Sequence, residues 1–327
     1  MKKLLTLAFV LATTLLFGQT EKYKKYYLDS LGFETAVKDH KYYRIIKDYH
    51  LKKNEYEVTD YYLGGRIKTE RTYSSKFHHS PIGSEKEYYP SGQLKNHRNY
   101  NLNSELYGPY ISFYENGKKE IEGEVIKIKI DSVKEHQVLK IVSYWDENGT
   151  QKVFEGKGFM IEKDVNNIES SRGKLENGLK TGIWTGFNSK YKLQFADQYE
   201  SGIFMGGMSK DGNGNENAYV NIERQPEFKG GKEAYVNFVQ KKFRIPEVDR
   251  DIKGRIYIKF NVNPDGNVSD AEIIRDLDEK LSKEAIRFVY STSGLWTPGE
   301  YRGFKVKANF TLPIAIDVDV VNKSRLN

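Results

Sequence analysis

The stretch that decides the fold of the C-terminal part of this chain is residues 252–268, which read IKGRIYIKFNVNPDGNV. Ile256, Ile258, Phe260 and Val262 alternate with Arg255, Tyr257, Lys259 and Asn261, so the first four share one face of an extended strand. A period of two is typical of a strand with one buried and one solvated face. Asn263–Gly266 predicts a tight turn, because proline presets φ at the second position and glycine completes the turn. The sequence therefore predicts a β-hairpin whose second strand is Val268–Ile274.

Two amphipathic helices and a last strand extend this hairpin. The first helix follows Gly231 and ends before Pro246, and the second begins near Asp278, its predicted N-cap. Apolar residues at helical spacing are Tyr235, Phe238 and Val239 in the first helix and Leu281, Ala285, Phe288 and Val289 in the second. Alternation from Phe304 to Leu312 indicates the last strand. Residues 221–316 are therefore predicted to form an α+β domain in which helices pack on a small antiparallel sheet.

Several motifs of this region resemble, in the same order, those of the C-terminal domain of TonB. They are PEFKGG (226–231), IKGRIYIKFNV (252–262), PDGNV (264–268), WTPG (296–299) and the strand Val306–Pro313. The sequence departs from the family pattern at two places: Lys229 stands where the family usually has a proline, and Ile245 precedes Pro246 where the family usually has a tyrosine. These departures concern the lead-in and the corner between the first helix and the first strand.

The resemblance implies that the domain captures a short extended peptide, the TonB box of an outer-membrane transporter, as a strand added beside its own last strand. An unpaired sheet edge offers N–H and C=O groups to such a peptide, so recognition tolerates varied side chains. By resemblance, the peptide-binding edge comprises Lys305, Val306, Lys307, Ala308, Asn309, Phe310 and Thr311, with Tyr301 and Arg302 nearby. The alternative is an ordinary strand whose lysines guard the edge against aggregation.

The middle of the chain repeats a phrase in which an aromatic residue is followed by a glycine three or four positions later. The phrase occurs at Tyr62–Gly65, Tyr89–Gly92, Tyr114–Gly117 and Trp145–Gly149, and its glycines are 27, 25 and 32 residues apart. Spacing of this size indicates a repeat architecture. Each phrase is typical of a hairpin turn, in which glycine supplies a positive φ. Residues 61–207 are therefore predicted as an all-β region of stacked hairpins.

These units resemble MORN-type repeats of the divergent bacterial kind. The matching pieces are Gly108–Gly117 and, more loosely, Gly83–Gly92 and Gly178–Gly186. The resemblance implies a surface for contact with proteins or the envelope. A plain extended scaffold without a ligand of its own stays an equal alternative.

The N-terminus predicts a secretory signal peptide over residues 1–19. Lys2 and Lys3 precede an apolar stretch, Leu4–Phe17, which is followed by a small-residue exit. A membrane span needs about 20 apolar residues, so this stretch is short for an anchor. Cleavage after Gly18 or Gln19 is expected, and retention as an uncleaved anchor is the alternative. The remaining predicted boundaries are a lead-in over 20–60, a Gly- and Asn-rich flexible linker over 208–220 and a tail over 317–327.

Composition and motifs argue against several classes of function. The chain has no cysteine, which excludes thiolate metal sites, cysteine nucleophiles and disulfides. Its net charge of +7 is spread evenly, without the basic stripe of a nucleic-acid binder. Neither a His-Glu-x-x-His helix nor a Gly-x-Ser-x-Gly elbow is present. We therefore expect no catalytic residue, no metal, no cofactor and no nucleic-acid partner.

Together these features predict an exported, non-enzymatic binding protein in the periplasm or at the outer-membrane periphery of a Gram-negative-type cell. Its expected partners are outer-membrane TonB-dependent transporters or other envelope proteins, and membrane association would come through them or through an uncleaved leader. One alternative is an energy transducer whose leader stays in the inner membrane. Its usual proline-rich rod is absent, since only three prolines precede Pro226. Another alternative is an envelope scaffold that uses its repeats for protein contact.

Overall fold

The structure, a computed structural model, divides the chain into two compact units. The first comprises residues 1–158 and 177–179, and the second comprises residues 159–176 and 180–327. The described residues are 22–30, 32, 34–76, 80–129, 135–164, 166 and 168–319. The signal peptide predicted over residues 1–19 and most of the predicted tail lie outside the described residues.

The first unit is a stack of antiparallel hairpins. Its strands are β1 (Tyr23–Leu28), β2 (Tyr42–Lys47), β3 (Tyr56–Tyr62), β4 (Ile67–Tyr73), β5 (Pro81–Tyr88), β6 (Leu94–Tyr100), β7 (Gly108–Phe113), β8 (Lys119–Lys129), β9 (Glu135–Trp145) and β10 (Gln151–Phe154). Each strand pairs with the next one along the chain. A 3-10 turn, Val37–Asp39, lies between β1 and β2. The predicted lead-in over 20–60 therefore already contributes strands to the stack.

The four aromatic–glycine phrases form turns with the same hydrogen bonds. In the first turn, the N–H of Tyr62 donates to the carbonyl of Arg66 and the N–H of Gly65 donates to the carbonyl of Tyr62, each at 2.9 Å. The same two bonds recur in the turns that begin at Tyr89, Tyr114 and Asp146. The closing glycines have φ values of 81° at Gly65, 93° at Gly92, 81° at Gly117 and 85° at Gly149. This left-handed conformation favours glycine, which explains why the phrase ends in that residue.

Tyrosine hydroxyls link successive hairpins of this stack. Tyr62 donates to the carbonyl of Tyr88 at 2.8 Å, Tyr89 to the carbonyl of Phe113 at 3.0 Å, and Tyr114 to the carbonyl of Trp145 at 2.8 Å. The aromatic residue of one phrase thus satisfies a backbone acceptor beside the next phrase. The hairpin stack agrees with the predicted strand-rich region, and its assignment to MORN-type repeats stays a prediction.

The second unit begins with further strands. They are β11 (Lys157–Lys163), which starts at the end of the first unit, β12 (Glu169–Glu176), β13 (Leu179–Asn188), β14 (Leu193–Glu200), β15 (Ile203–Lys210) and β16 (Glu216–Tyr219). Strands β13 to β16 pair in chain order.

The linker predicted over residues 208–220 differs from the structure, which has a hairpin there. Strands β15 and β16 pair from Gly207↔Tyr219 to Lys210↔Glu216. The carboxylate of Asp211 accepts hydrogen bonds from the N–H groups of Asn213 and Asn215, both at 2.9 Å. An aspartate that bonds the backbone two residues on closes a turn. The Gly- and Asn-rich composition therefore marks a tight turn between two strands.

The remaining residues of the second unit form the predicted α+β domain. Its elements are β17 (Glu223–Arg224), β18 (Glu227–Phe228), α1 (Gly231–Lys242), β19 (Ile252–Val262), β20 (Val268–Arg275), α2 (Glu279–Ser291), β21 (Trp296–Thr297), β22 (Gly299–Tyr301), β23 (Phe304–Val306) and β24 (Ala308–Val318). The main sheet has the strand order β20-β19-β24. In the part of the chain that the structure describes, no helix has the length and hydrophobicity to cross a membrane.

Both helices cover one face of this sheet, as the sequence predicts. Leu281, Ala285, Phe288 and Val289 of α2 are fully buried and share a core with the apolar face of β19. Tyr235, Phe238 and Val239 of α1 pack against the same core. Asp278 caps α2 by accepting hydrogen bonds from the N–H groups of Lys280 and Leu281.

The last predicted strand, from Phe304 to Leu312, is divided in the structure. Val306 of β23 pairs with Gly299 of β22, whereas Ala308 of β24 pairs with Val262 of β19. The chain changes partner at Lys307 while the alternation of side chains continues. A period of two reports which face a residue occupies and carries no information about the neighbouring strand. Strand β24 also runs to Val318, beyond the predicted domain end at 316.

Candidate peptide-docking edge

The outer edge of β24 is the candidate site. Strand β24 pairs with β19 along its whole length, from Ala308↔Val262 to Val318↔Ile252. Within the described ranges, no strand pairs with its other side. An edge of this kind presents backbone N–H and C=O groups to an incoming chain.

Side chains along β24 alternate between the core and the open face of the sheet. Leu312, Ile314 and Ile316 are buried beneath the helices. Exposed side chains on the open face are Asn309, Thr311, Pro313, Ala315 and Asp317. Phe310 lies on the core side, where its ring centroid is 5.1 Å from that of Trp296. Of the predicted contact residues in this strand, Asn309 and Thr311 are therefore the exposed ones.

Pro313 reveals which backbone groups point outward. It pairs with Tyr257 in the middle of an uninterrupted register. Proline has no N–H, and within sheets it sits where its nitrogen faces away from the partner strand. In an antiparallel ladder, the N–H and C=O of one residue point to the same side, and successive residues alternate. Asn309, Thr311 and Ala315 therefore direct their backbone groups to the free edge.

Lys307 is held at the start of β24 by a cluster around Asp270. Its ammonium donates to the Asp270 carboxylate at 2.7 Å, and the side-chain amide of Asn261 donates to the same oxygen at 2.6 Å. The hydrogen bond from Lys307, followed by that from Asn261, lowers the pKa of Asp270 to about 2. Lys305 is exposed on β23 and Val306 is buried there. The predicted contact residues thus belong to two strands with separate environments.

Tyr301 and Arg302, which the resemblance places near the peptide-binding edge, form their side-chain contacts with hairpin residues of the second unit. Arg302 is only 7% exposed, and its Nε and Nη2 donate to the Asp197 carboxylate at 3.1 and 2.7 Å. The hydroxyl of Tyr301 accepts a hydrogen bond from the side-chain amide of Asn188 at 3.2 Å, and its ring centroid lies 5.0 Å from that of Tyr191. Both residues therefore contact the hairpin strands of the same unit.

Electrostatics around Arg302 fit a buried ion pair. Burial alone would lower the pKa of Arg302, but the hydrogen bonds and charge of Asp197 raise it above its ordinary value. Burial, followed by the hydrogen bond to Asp197, raises the pKa of the Tyr219 hydroxyl. Arg302 thus remains charged, and Asp197 is surrounded by donors.

The buried role of Asp197 was not predicted from the sequence, although the sequence around it contains a signal for that role. Strand β14 places Leu193, Phe195, Asp197 and Tyr199 in one buried row. A carboxylate in an otherwise apolar row must find a cationic or hydrogen-bonding partner. Local sequence could have identified the need for a partner, but Arg302 lies 105 residues away.

The fold is a small α+β domain in which β24 forms an edge of the main sheet. Residues 246–315 match the family model described as Gram-negative bacterial TonB protein C-terminal. This match confirms the predicted resemblance to the TonB C-terminal domain over that range. Among the described residues, no group of three His, Cys, Asp or Glu side chains is arranged to hold a metal ion.

Comparison with solved structures finds the NMR solution structure of Helicobacter pylori TonB-CTD (residues 179–285). It shares 21% sequence identity with this chain, covers 26% of this chain and 78% of its own length, and has a TM-score of 0.21. A comparison with curated proteins finds no match.

Proposed function

We propose that the C-terminal domain binds a short extended segment of an outer-membrane transporter, its TonB box, as a strand added to the outer edge of β24. The protein would thereby contribute to TonB-dependent transport as a binding protein. The observation that carries this proposal is the free edge of β24, whose partner strand β19 occupies only the opposite side. Strand addition uses backbone groups and therefore accommodates different transporter sequences.

The position of Pro313 sets the extent and strength of this interaction. Asn309 and Thr311 each offer one N–H and one C=O, whereas Pro313 offers a carbonyl alone. About five hydrogen bonds at about 1 kcal/mol each give about 5 kcal/mol before the cost of ordering the peptide. The expected binding is weak and reversible, as a transient transport partner requires.

Replacing Asn309 by proline tests this proposal in the full chain. Asn309→Pro removes an outward donor and leaves the β19 ladder intact, so affinity for a fluorescent TonB-box peptide should fall about fivefold or more, by anisotropy. Asn309→Ala is the matched control, because it keeps the backbone donor and should bind like the parent. Circular dichroism should show both variants folded. Equal binding by the proline variant would contradict the docking edge, and its global unfolding would place the N–H of Asn309 in the β19 ladder.

We further propose that the protein is exported and that its leader is removed. The charged start and the short apolar stretch Leu4–Phe17 support this. N-terminal sequencing and membrane fractionation from the native host test it. A start at Gln19 or Thr20 outside the inner membrane fits a docking protein. An intact Met1 terminus in the inner membrane would instead favour an energy transducer.

The hairpin stack is proposed to be a MORN-type surface for protein or envelope contact. The recurring turn with a closing glycine, as at Gly65 and Gly92, supports this proposal. Co-purification with envelope proteins that is lost when the stack is deleted, but kept when the β24 edge is blocked by Asn309→Pro, would separate this role from peptide docking. Loss with Asn309→Pro but not with the deletion would instead assign the partner to the docking edge.

A further inference from the structure

The turn between β22 and β23 has an unusual backbone. Its two central residues, Arg302 and Gly303, have φ values of 46° and 81°. Two positive φ values in a two-residue hairpin loop are characteristic of a type I′ turn. Arginine is an uncommon residue at positive φ, and such a conformation persists where the surroundings hold it.

The strands β14 and β15 hold Arg302 through its side chain and its backbone. Its guanidinium forms a bidentate pair with Asp197 and lies 3.5 Å from the ring centroid of Phe195. The hydroxyl of Ser209 donates to the carbonyl of Arg302 at 2.5 Å. The fork of donors on an arginine matches a carboxylate in one orientation, so this contact fixes direction as well as distance.

Strand β16 contacts the same turn. The side-chain amide of Asn217 donates to the carbonyl of Gly303 at 3.3 Å. A β-carbon at Gly303 would lie 3.2 Å from the carbonyl oxygen of Ala218, so the turn packs closely against this strand. The N–H of Arg302 donates to the carbonyl of Ile222, just before β17, at 2.7 Å. The turn thus contacts three successive hairpin strands and the chain segment that leaves them.

We infer that the Tyr301–Gly303 turn is an intramolecular anchor that holds the TonB C-terminal domain and strands β14 to β16 as one rigid body. Only three residues separate β16 from β17, so the connection is too short to act as a flexible tether. The anchor and the short connection together prevent the free rotation between the domain and strands β14 to β16 that a flexible linker would allow. A partner bound at the β24 edge would then pull on the hairpin strands directly. The anchor itself does not require the peptide-docking function.

Distance measurements between two spin labels test the anchor in the full chain. The chain has no cysteine, so labels can be placed by the exposed substitutions Gln194→Cys in β14 and Lys283→Cys in α2. Double electron–electron resonance should give one narrow distance distribution for the labelled parent. Arg302→Gln and Asp197→Asn should each broaden that distribution at least twofold. Intact circular dichroism would show that the broadening reflects domain motion.

Arg224→Gln is the matched control for these variants. Arg224 also carries a cation close to this hairpin, where it pairs with Glu300 at 2.5 Å, but its side chain is 57% exposed. Its removal should leave the distribution narrow. A broad distribution in the labelled parent would overturn the inference even if the anchor variants failed to fold. An unchanged narrow distribution in both folded anchor variants would overturn it as well. No peptide is used in this experiment, so the distance distributions can be interpreted even if the docking proposal fails.

Discussion

The carboxylate of Asp197 lies among apolar side chains of β14 and pairs with Arg302, and only 2% of its side chain is exposed. A buried pair of this kind adds little net stability over an apolar pair, but removal of one partner leaves an uncompensated charge. The effect of the pair on stability is therefore largest when one partner is replaced and the other charge stays buried. A single substitution of Asp197 or Arg302 is therefore strongly unfavourable, although the intact pair adds little to the stability of the fold.

We predict that Asp197→Asn lowers the free energy of unfolding of the second unit by about 3–5 kcal/mol, because the guanidinium of Arg302 loses its counter-charge. Urea denaturation followed by tryptophan fluorescence measures this change. Asp317→Asn, which removes an exposed carboxylate paired with Lys253, should leave the denaturation midpoint unchanged. Equal midpoints for the Asp197→Asn variant and the parent would show that Arg302 is solvated.

Asp270 provides a prediction about pH. Its pKa is lowered from 3.8 to about 2, mainly by the hydrogen bond from Lys307. Because the folded-state pKa lies below the unfolded value, the stabilisation is present above about pH 4 and is lost as the pH falls towards 2. A carboxyl titration by NMR should show the low pKa in the parent and a higher one in Lys307→Met. Lys305→Met is the control and should keep the low value.

Gly266 illustrates a backbone requirement. Its φ is 84°, and a β-carbon there would lie 2.4 Å from the carbonyl oxygen of Trp296. We expect Gly266→Ala to reduce the free energy of unfolding by about 1–3 kcal/mol. Gly214 occupies the same position in the turn that begins at Asp211 and has a φ of 90°, but a β-carbon there would meet only the Lys210 side chain at 4.0 Å, so Gly214→Ala should cost less than Gly266→Ala. Similar losses from both substitutions, measured by urea denaturation, would contradict the role of the close approach.

Strand β24 combines the proposed docking edge with protection against uncontrolled pairing. Its alternation buries Leu312 and Ile314, while Pro313 between them interrupts the row of outward donors. Proline on an edge strand limits pairing with other chains. The proposed docking would therefore use a short segment near the start of the strand, because the edge does not offer a long continuous row of donors.

Pro313→Ala is predicted to restore an outward N–H to this edge. One added hydrogen bond of about 1 kcal/mol should strengthen binding of the TonB-box peptide about fivefold. Fluorescence anisotropy measures the affinity, and Thr311→Ala, which leaves the backbone unchanged, is the control. Sedimentation velocity on the same sample would detect any edge-to-edge association. Unchanged affinity in the Pro313→Ala variant would show that this nitrogen does not face the peptide.

The hairpin stack and the C-terminal domain are stabilised by different kinds of interaction. The first unit links each hairpin to its neighbour through turns and tyrosine hydroxyls, so its stability is expected to be a sum of local terms. The C-terminal domain has one core shared by two helices and β19, so its elements depend on one another.

This difference predicts additive losses in the hairpin stack. Tyr62→Phe, Tyr89→Phe and Tyr114→Phe should each cost about 0.5–1.5 kcal/mol, because each removes one hydroxyl hydrogen bond to a backbone carbonyl. The triple variant should lose the sum of the single losses in urea denaturation, since each hydroxyl bonds a different backbone carbonyl. Tyr107→Phe, at a half-exposed position, is the control. A triple loss far from the sum would show that the hairpins unfold as a coupled network.

Local pattern and turn chemistry were sufficient to identify many elements. Alternation over Ile256–Val262, the Asn263–Gly266 turn, the apolar side of α2 and the glycine-closed hairpin turns are all properties of neighbouring residues. Such properties depend on dihedral preferences and side-chain periodicity, which act within a few residues.

The tertiary structure alone decided which strand lies beside which, and therefore where the site is. The change of partner at Lys307, the hairpin over residues 208–220 and the burial of Arg302 against Asp197 each depend on segments that meet only in the folded chain. A strand's alternation is the same for an edge, an interior position or a change of sheet, because its period describes faces and not neighbours. The free edge of β24 is accordingly a property of the folded domain.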